Sequence, residues 1–156
     1  MKIQLRAATL EDVSFLTDVV IKATFAQGRF PDDTDVDEYR AGHEEWTEET
    51  VLGKYPNVSL SVVTLNGVSV GRFRVVWDGA TITLAGIQIL PEYQNQGVGR
   101  VLVKQLIEEA AEKNIPLQLS VEKNNPHAER FYRRLGFLQI GEDEDAYDLE
   151  YQPHKQ

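Results

Sequence analysis

The chain contains no cysteine. That excludes disulfides, thiolate nucleophiles and Cys-based zinc sites. Histidine is scarce as well: His43, His127 and His154 are scattered, without the short spacing of metal ligands. No apolar run approaches the roughly 18 residues that a membrane helix needs. No apolar signal-peptide core follows Met1-Lys2. Basic residues are outnumbered, with 16 Lys and Arg against 25 Asp and Glu, for a net charge of −9. Phosphate-backbone binding needs a basic surface, so this balance disfavours nucleic acid. A cytoplasmic protein with neither a membrane nor a nucleic-acid partner is the simplest expectation.

What is present suits one domain over residues 1–156: enough length for a sizeable core, and an apolar fraction of 42%. There is no repeat, low-complexity segment or linker. Charge is unevenly placed along the chain. Residues 1–57 carry 6 basic and 12 acidic side chains, and residues 137–156 carry 1 and 6. The only net-positive section is 94–136, with 7 basic and 5 acidic side chains.

Residues 2–7 alternate as a strand does. Glu11 to Ala26 reads as a helix on the spacing of Val13, Leu16, Val20 and Ala23, with Thr9 as N-cap and Asp12 completing an imperfect capping box. A loop over Phe30–Asp37 and a second helix over Glu38–Leu52 follow. Val58–Leu65 and Val68–Trp77 are β-branched runs joined by Asn66-Gly67, a hairpin signal because a type I′ turn needs positive φ at both positions. Ala80–Leu90 reads as a strand and Gly97–Lys113 as a helix. Leu117–Val121 alternates as a strand. Asn125 as N-cap with Pro126 at the first helical position starts another helix, whose inner stripe is Ala128, Phe131, Tyr132 and Leu135. Strands near Phe137–Gly141 and Ala146–Gln152 complete the series. The order suits a mixed α/β sheet covered by helices.

Within that order one segment points to chemistry. Gln94-Asn95-Gln96-Gly97-Val98-Gly99-Arg100 joins an apolar strand to a helix. The first N–H groups of a helix lack internal partners, and the helix dipole adds partial positive charge, so a strand–turn–helix start can hold an anion. Gly97 and Gly99 lack a Cβ, which lets a phosphate approach the backbone. A lone Gly-x-Gly is equally a plain turn. Here a second segment follows: Asn125-Pro-His-Ala128-Glu-Arg-Phe131-Tyr132, then Leu135-Gly136-Phe137.

Together these segments resemble the GNAT superfamily of acyl-CoA-dependent N-acetyltransferases. The first matches its Q/R-x-x-G-x-G/A pyrophosphate loop, and the second its N-x-x-A-x-x-x-Y helix with the closing L-G-F. The opening, Ile3 to Asp12, is similar to the family's first strand and helix start. Residues 28–57 match least. The resemblance implies a GNAT-like fold: a central, mostly antiparallel sheet of six to seven strands with about four helices.

It also implies acetyl-CoA as acyl donor, with the pyrophosphate on the backbone of Gln94, Asn95, Gln96, Gly97, Val98, Gly99 and Arg100. Ile87, Gln88 and Ile89 would pair with the pantetheine arm, one N–H polarising the thioester carbonyl. Asn125 would contact the same arm while capping its helix. Tyr132 would be the general acid that protonates the departing thiolate, since a phenol with pKa about 10 keeps its proton at neutral pH. The alternative for Tyr132 is a plain core residue. The resemblance also allows a homodimer.

The base departs from the pattern. Thr83 and Ser120 stand where two branches of the family place a glutamate. Neither is a base, so a non-catalytic acyl-CoA-binding module stays open beside the enzyme. Glu122, a water, His43, Glu44 and Glu45 are the remaining candidates. For the acceptor, Phe30–Thr50 holds nine acidic residues against Arg40 alone, with Tyr39 and Trp46 interleaved. Acidic walls would focus a cationic amine, and the rings would contact its ammonium, whether on a small molecule or a Lys-rich peptide. The alternative is a solvated acidic face.

Overall fold

A computed structural model describes residues 1–153; His154 lies outside them. The elements run β1 (Ile3–Ala7), α1 (Val13–Ala26), α2 (Val36–Val51), β2 (Val58–Leu65), β3 (Val68–Trp77), β4 (Ile82–Ile89), α3 (Val98–Lys113), β5 (Leu117–Glu122), α4 (Pro126–Arg134), β6 (Leu138–Glu142) and β7 (Ala146–Tyr151). The strands hydrogen-bond in the order β1-β2-β3-β4-β5-β7-β6. This seven-stranded mixed sheet with four α-helices is the architecture expected from the sequence.

One body comprises residues 1–75 and 86–99. β1 runs antiparallel to β2, with Ile3 opposite Leu65 and Ala7 opposite Ser61. The hairpin turn forms as its residues dictate: Asn66 and Gly67 have φ of 50° and 84°. Leu16, Val19, Val62, Val63 and Val70 are fully buried. Burying an aliphatic side chain of this size contributes about 1.5–3 kcal/mol. A single 3₁₀ turn, Leu10–Asp12, precedes α1. There the Asp12 carboxylate accepts from the Thr9 N–H at 2.8 Å and from Arg6 at 2.8 and 2.9 Å. Beside Arg6, Asp12 is held down to a pKa of about 2.

α2 starts at Val36, two residues earlier than the periodicity suggests. Its N-cap is Asp35, whose side chain accepts from the Glu38 N–H at 3.1 Å. Only Thr47 and Thr50 are buried on this helix. Its apolar periodicity is therefore weak, which is why its start was hard to read.

The second body comprises residues 76–85 and 100 onward. β4 and β5 pair in parallel through Ile82↔Leu117 and Thr83↔Gln118. A parallel pair needs a crossover, and α3 supplies it. β5 then runs antiparallel to β7 over six pairs, from Leu117↔Tyr151 to Glu122↔Ala146. Ile82, Leu102, Val103, Leu117, Phe137 and Leu149 form the buried interior of this body.

Candidate active site

β4 ends at Ile89, and a short 3₁₀ turn, Pro91–Tyr93, carries the chain to the loop before α3. The Gln94 side chain reaches back, its Nε2 donating to the Ile89 carbonyl at 2.9 Å. Asn95 and Gly97 both have left-handed backbone, with φ of 62° and 83°. Turns that alternate left- and right-handed backbone are a known source of anion-binding concavities. The N–H groups of Asn95, Gln96 and Gly97 take no backbone partner among the described residues. Val98 anchors the helix start, 2% exposed. A Cβ on Gly97 would meet nothing within 4 Å, and one on Gly99 would meet only Ile87 Cδ1 at 3.8 Å. The loop is therefore open on the side that the glycines clear. Such a cradle fits a diphosphate. Arg100 is exposed at its helix end.

The strand before the loop presents two different faces. Ile89 Cδ1 lies 2.7 Å from the Cβ position of Gly71, and Ile87 lies beside Gly99. These side chains fill the face toward the start of α3. Gln88 points the other way, where its Oε1 accepts from Arg72 Nη1 at 2.9 Å. The β5-side edge of Ile87–Ile89 takes no strand partner among the described residues. The Gln88 side chain has a role the sequence reading missed.

Asn125 and Tyr132 sit on α4. Asn125 Oδ1 accepts from the Ala128 N–H at 3.3 Å, so the cap forms. Tyr132 is 7% exposed. Its ring packs against Phe131 and Phe137 at centroid distances of 5.2 and 5.6 Å. Burial pushes its phenol up to about 12. It keeps its proton throughout the neutral range.

The base position holds a surprise. Ser120 lies opposite Asp148 in the β5–β7 ladder, and its hydroxyl donates to Asp148 Oδ1 at 2.6 Å. The carboxylate absent at position 120 thus has a counterpart in Asp148 on the neighbouring strand. Asp148 escaped the sequence reading because only the strand register brings it there. Thr83 pairs with Gln118, and neither carries a base.

His43 belongs to a different cluster. Its Nδ1 lies 3.2 Å from Thr17 Oγ1 and 3.3 Å from Thr47 Oγ1. Burial first, and Arg72 second, lower its pKa to about 4. Such an imidazole is neutral at pH 7 and a weak proton acceptor. A group depressed from 6.5 to about 4 stabilises the fold fully above pH 6.5 and loses that contribution as pH falls toward 4. We expect wild-type stability to drop by roughly 1–2 kcal/mol in this window, below the full linkage because the ring is partly exposed. Urea unfolding at pH 7 and pH 4.5, with His43→Gln losing most of that slope, checks this. Asp12 does not confuse the reading, since its own loss lies below pH 3.8.

The sequence profile described as the acetyltransferase (GNAT) family matches residues 24–137. That is most of the chain, and it contains β4, the loop, α3 and α4. The chain belongs to this family. Among GNAT relatives, the ribosomal protein bS18-alanine N-acetyltransferase of Escherichia coli K12 is 36% identical over 107 residues, covering 64% of this chain and 69% of that protein. The thialysine N-epsilon-acetyltransferase of Bos taurus is 36% identical over 69 residues, covering 44% and 41%. The PaiA N-acetyltransferase of Thermoplasma acidophilum, solved with coenzyme A, superposes with a TM-score of 0.81 at 16% identity, over 97% of this chain and 99% of that one. GNAT membership makes the protein an acetyl-CoA-dependent acetyltransferase. No helix among the described residues is long and apolar enough to cross a membrane.

Proposed function

We propose that this protein acetylates a primary amine by direct attack on the thioester of acetyl-CoA. The observation that carries this reading is the open left-handed loop at Asn95–Gly97, set between a strand edge and the start of α3. Bound acetyl-CoA supplies an acetyl thioester, whose C–S bond breaks as the C–N bond to the amine forms. Backbone N–H groups of residues 95–100 hold the pyrophosphate, and Asn125 contacts the pantetheine arm. An N–H on Ile87–Ile89 stabilises the charge that develops on the carbonyl oxygen. Tyr132 gives its proton to the departing thiolate.

The amine must lose a proton before or as it attacks. We assign that proton to Asp148, received through the Ser120 hydroxyl that donates to it. Asp148→Asn keeps the shape and the Ser120 contact but removes the base. The expected result is a fall in kcat of at least about tenfold with acetyl-CoA affinity unchanged. Steady-state kinetics and a binding titration on the same sample check both halves.

The acidic stretch along α2 favours cationic acceptors, a small amine or a Lys-rich peptide. The alanine amine acetylated by the bS18 enzyme and the thialysine amine of the bovine enzyme support the amine class. Thermal unfolding with and without acetyl-CoA tests the donor. Ligand at 100 times Kd adds roughly 2.7 kcal/mol, worth about 5–11 °C for a domain of this size. Amine-dependent release of free thiol then tests the transfer. A shift with AMP equal to that with acetyl-CoA, or no thiol release with any amine, would remove this reading.

A further inference from the structure

On the α2 side of the sheet lies a buried cation with no carboxylate. Arg72 is 3% exposed. A guanidinium has five N–H donors, and moving it out of water costs several kcal/mol unless it is paired. Among the described residues the Arg72 side chain has one hydrogen bond, to Gln88, and its buried Nε has no partner. No acidic side chain forms an ion pair with it among the described residues. Its neighbour on the same strand face is a second cation, Arg74, whose buried Nε is also unpartnered. Like charges two residues apart on one face repel.

The surroundings make room for the charge without neutralising it. A Cβ on Gly86 would stand 2.6 Å from Arg72 Nη1, so glycine there leaves space for the guanidinium. The Trp46 ring lies 4.5 Å from Arg74 and 5.6 Å from Arg72. Trp46 therefore already holds two cations of the chain itself and is not a free seat for a substrate ammonium. Along α2 from Trp46 come His43 and then Tyr39, with ring contacts of 5.6 and 6.0 Å. His43 and Tyr39 line a cavity of about 520 Å³ together with Asp35 and Glu38. Burial and Arg74 depress Arg72 to about 10, opposed by Tyr39 and by no carboxylate.

His43 links the cavity to Arg72: it lines the cavity and feels the charge of Arg72. A cavity with acidic lining thus stands next to a buried, unneutralised cation, which matches a ligand of two charges. We propose that the acceptor amine also carries a carboxylate, and that Arg72, steered by Gln88 and backed by Trp46, binds it. A carboxylate accepts two parallel N–H bonds from a guanidinium, which takes up the unpartnered Nε. The ligand's ammonium faces Asp35 and Glu38 in the cavity lining. The acceptor is then a small amino acid rather than a polyamine. Gln88 orients the guanidinium and is a positioning residue. This inference rests on the acetyltransferase reading and names its acceptor.

The test compares leucine, lysine and β-alanine with their carboxamides and with the amines that lack the carboxyl group. Thiol release gives kcat/KM for each. At least about a tenfold preference for the acids is expected, the range of a charge-assisted bidentate contact. In Arg72→Met the preference should fall to within about twofold, while the thermal shift with acetyl-CoA persists. Arg72→Lys, which keeps the charge but not the fork, should retain part of it. Equal use of acids and amides by the wild type, or an undiminished preference in Arg72→Met, would overturn the proposal. A stronger preference for phosphoethanolamine over ethanolamine than for the acids over their amides would also overturn it.

A binding arm keeps the two readings separate. Trp46 emission, followed in a Trp77→Phe background, should respond to the acids and not to the amides. That response needs no acetyl-CoA. A protein that responds to acids yet shows no thermal shift with acetyl-CoA would contradict the donor reading alone. One that shifts with acetyl-CoA but responds to no acid would contradict the Arg72 proposal alone.

Discussion

Replacing Tyr132 with phenylalanine should lower kcat by about 10²–10³-fold, the usual contribution of a well-placed general acid. The variant removes one oxygen and little else. The ring contacts with Phe131 and Phe137 persist, so the inner face of α4 keeps its packing. The stability change should stay within about 1 kcal/mol, the net value of one ordinary hydrogen bond. Acetyl-CoA affinity should be unchanged, because the hydroxyl is needed only as the thiolate leaves. The buried phenol, raised to about 12, is protonated at neutral pH and so has a proton to give when the thiolate leaves. A variant with normal kcat would return Tyr132 to the role its position on the helix stripe also explains, that of a core residue. A variant with poor binding and a normal rate at saturation would instead make the hydroxyl a contact to the donor.

The order of elements was legible because local rules and packing agreed along most of this chain. Asn66-Gly67 demands a type I′ turn and forms with both φ positive. Asn125-Pro126 demands a helix start and caps as expected. The left-handed turn at Asn95–Gly97 was legible for the same reason, since glycine spacing reports backbone.

Harder to read was anything set by contacts between strands. Asp148 stands beside Ser120 only through the β5–β7 register. No spacing within either strand reveals that carboxylate. Arg72 was the most informative residue left unread. Its signal was present: two arginines at alternate positions in a β-branched run, Val70-Gly71-Arg72-Phe73-Arg74-Val75, put two charges on one face of an interior strand. Interior charges of that kind are rare and call for a partner. The acidic stretch drew attention instead because it is long. Trp46, read from the sequence as a ring for a substrate cation, lies against Arg72 and Arg74.

The loop itself yields the second large effect, because its two glycines separate folding from binding. Gly97 has φ of 83°, so alanine there strains the backbone by about 1 kcal/mol even though its methyl meets no protein atom. Gly99 has no such φ, and its methyl would make only an ordinary contact with Ile87. Alanine at 99 also favours the first turn of α3 by up to about 1 kcal/mol. The unliganded double variant, Gly97→Ala with Gly99→Ala, should therefore melt close to wild type. Its methyl groups occupy the space through which a diphosphate reaches the N–H groups. We expect acetyl-CoA Kd to rise about 100-fold, roughly 2.7 kcal/mol. At a donor concentration of 100 times the wild-type Kd, the wild type gains about 2.7 kcal/mol and the double variant only about 0.4. Melting curves at that one concentration read the difference directly. Equal shifts in the two proteins would mean that the donor's phosphates bind elsewhere, because nothing else in this loop changes.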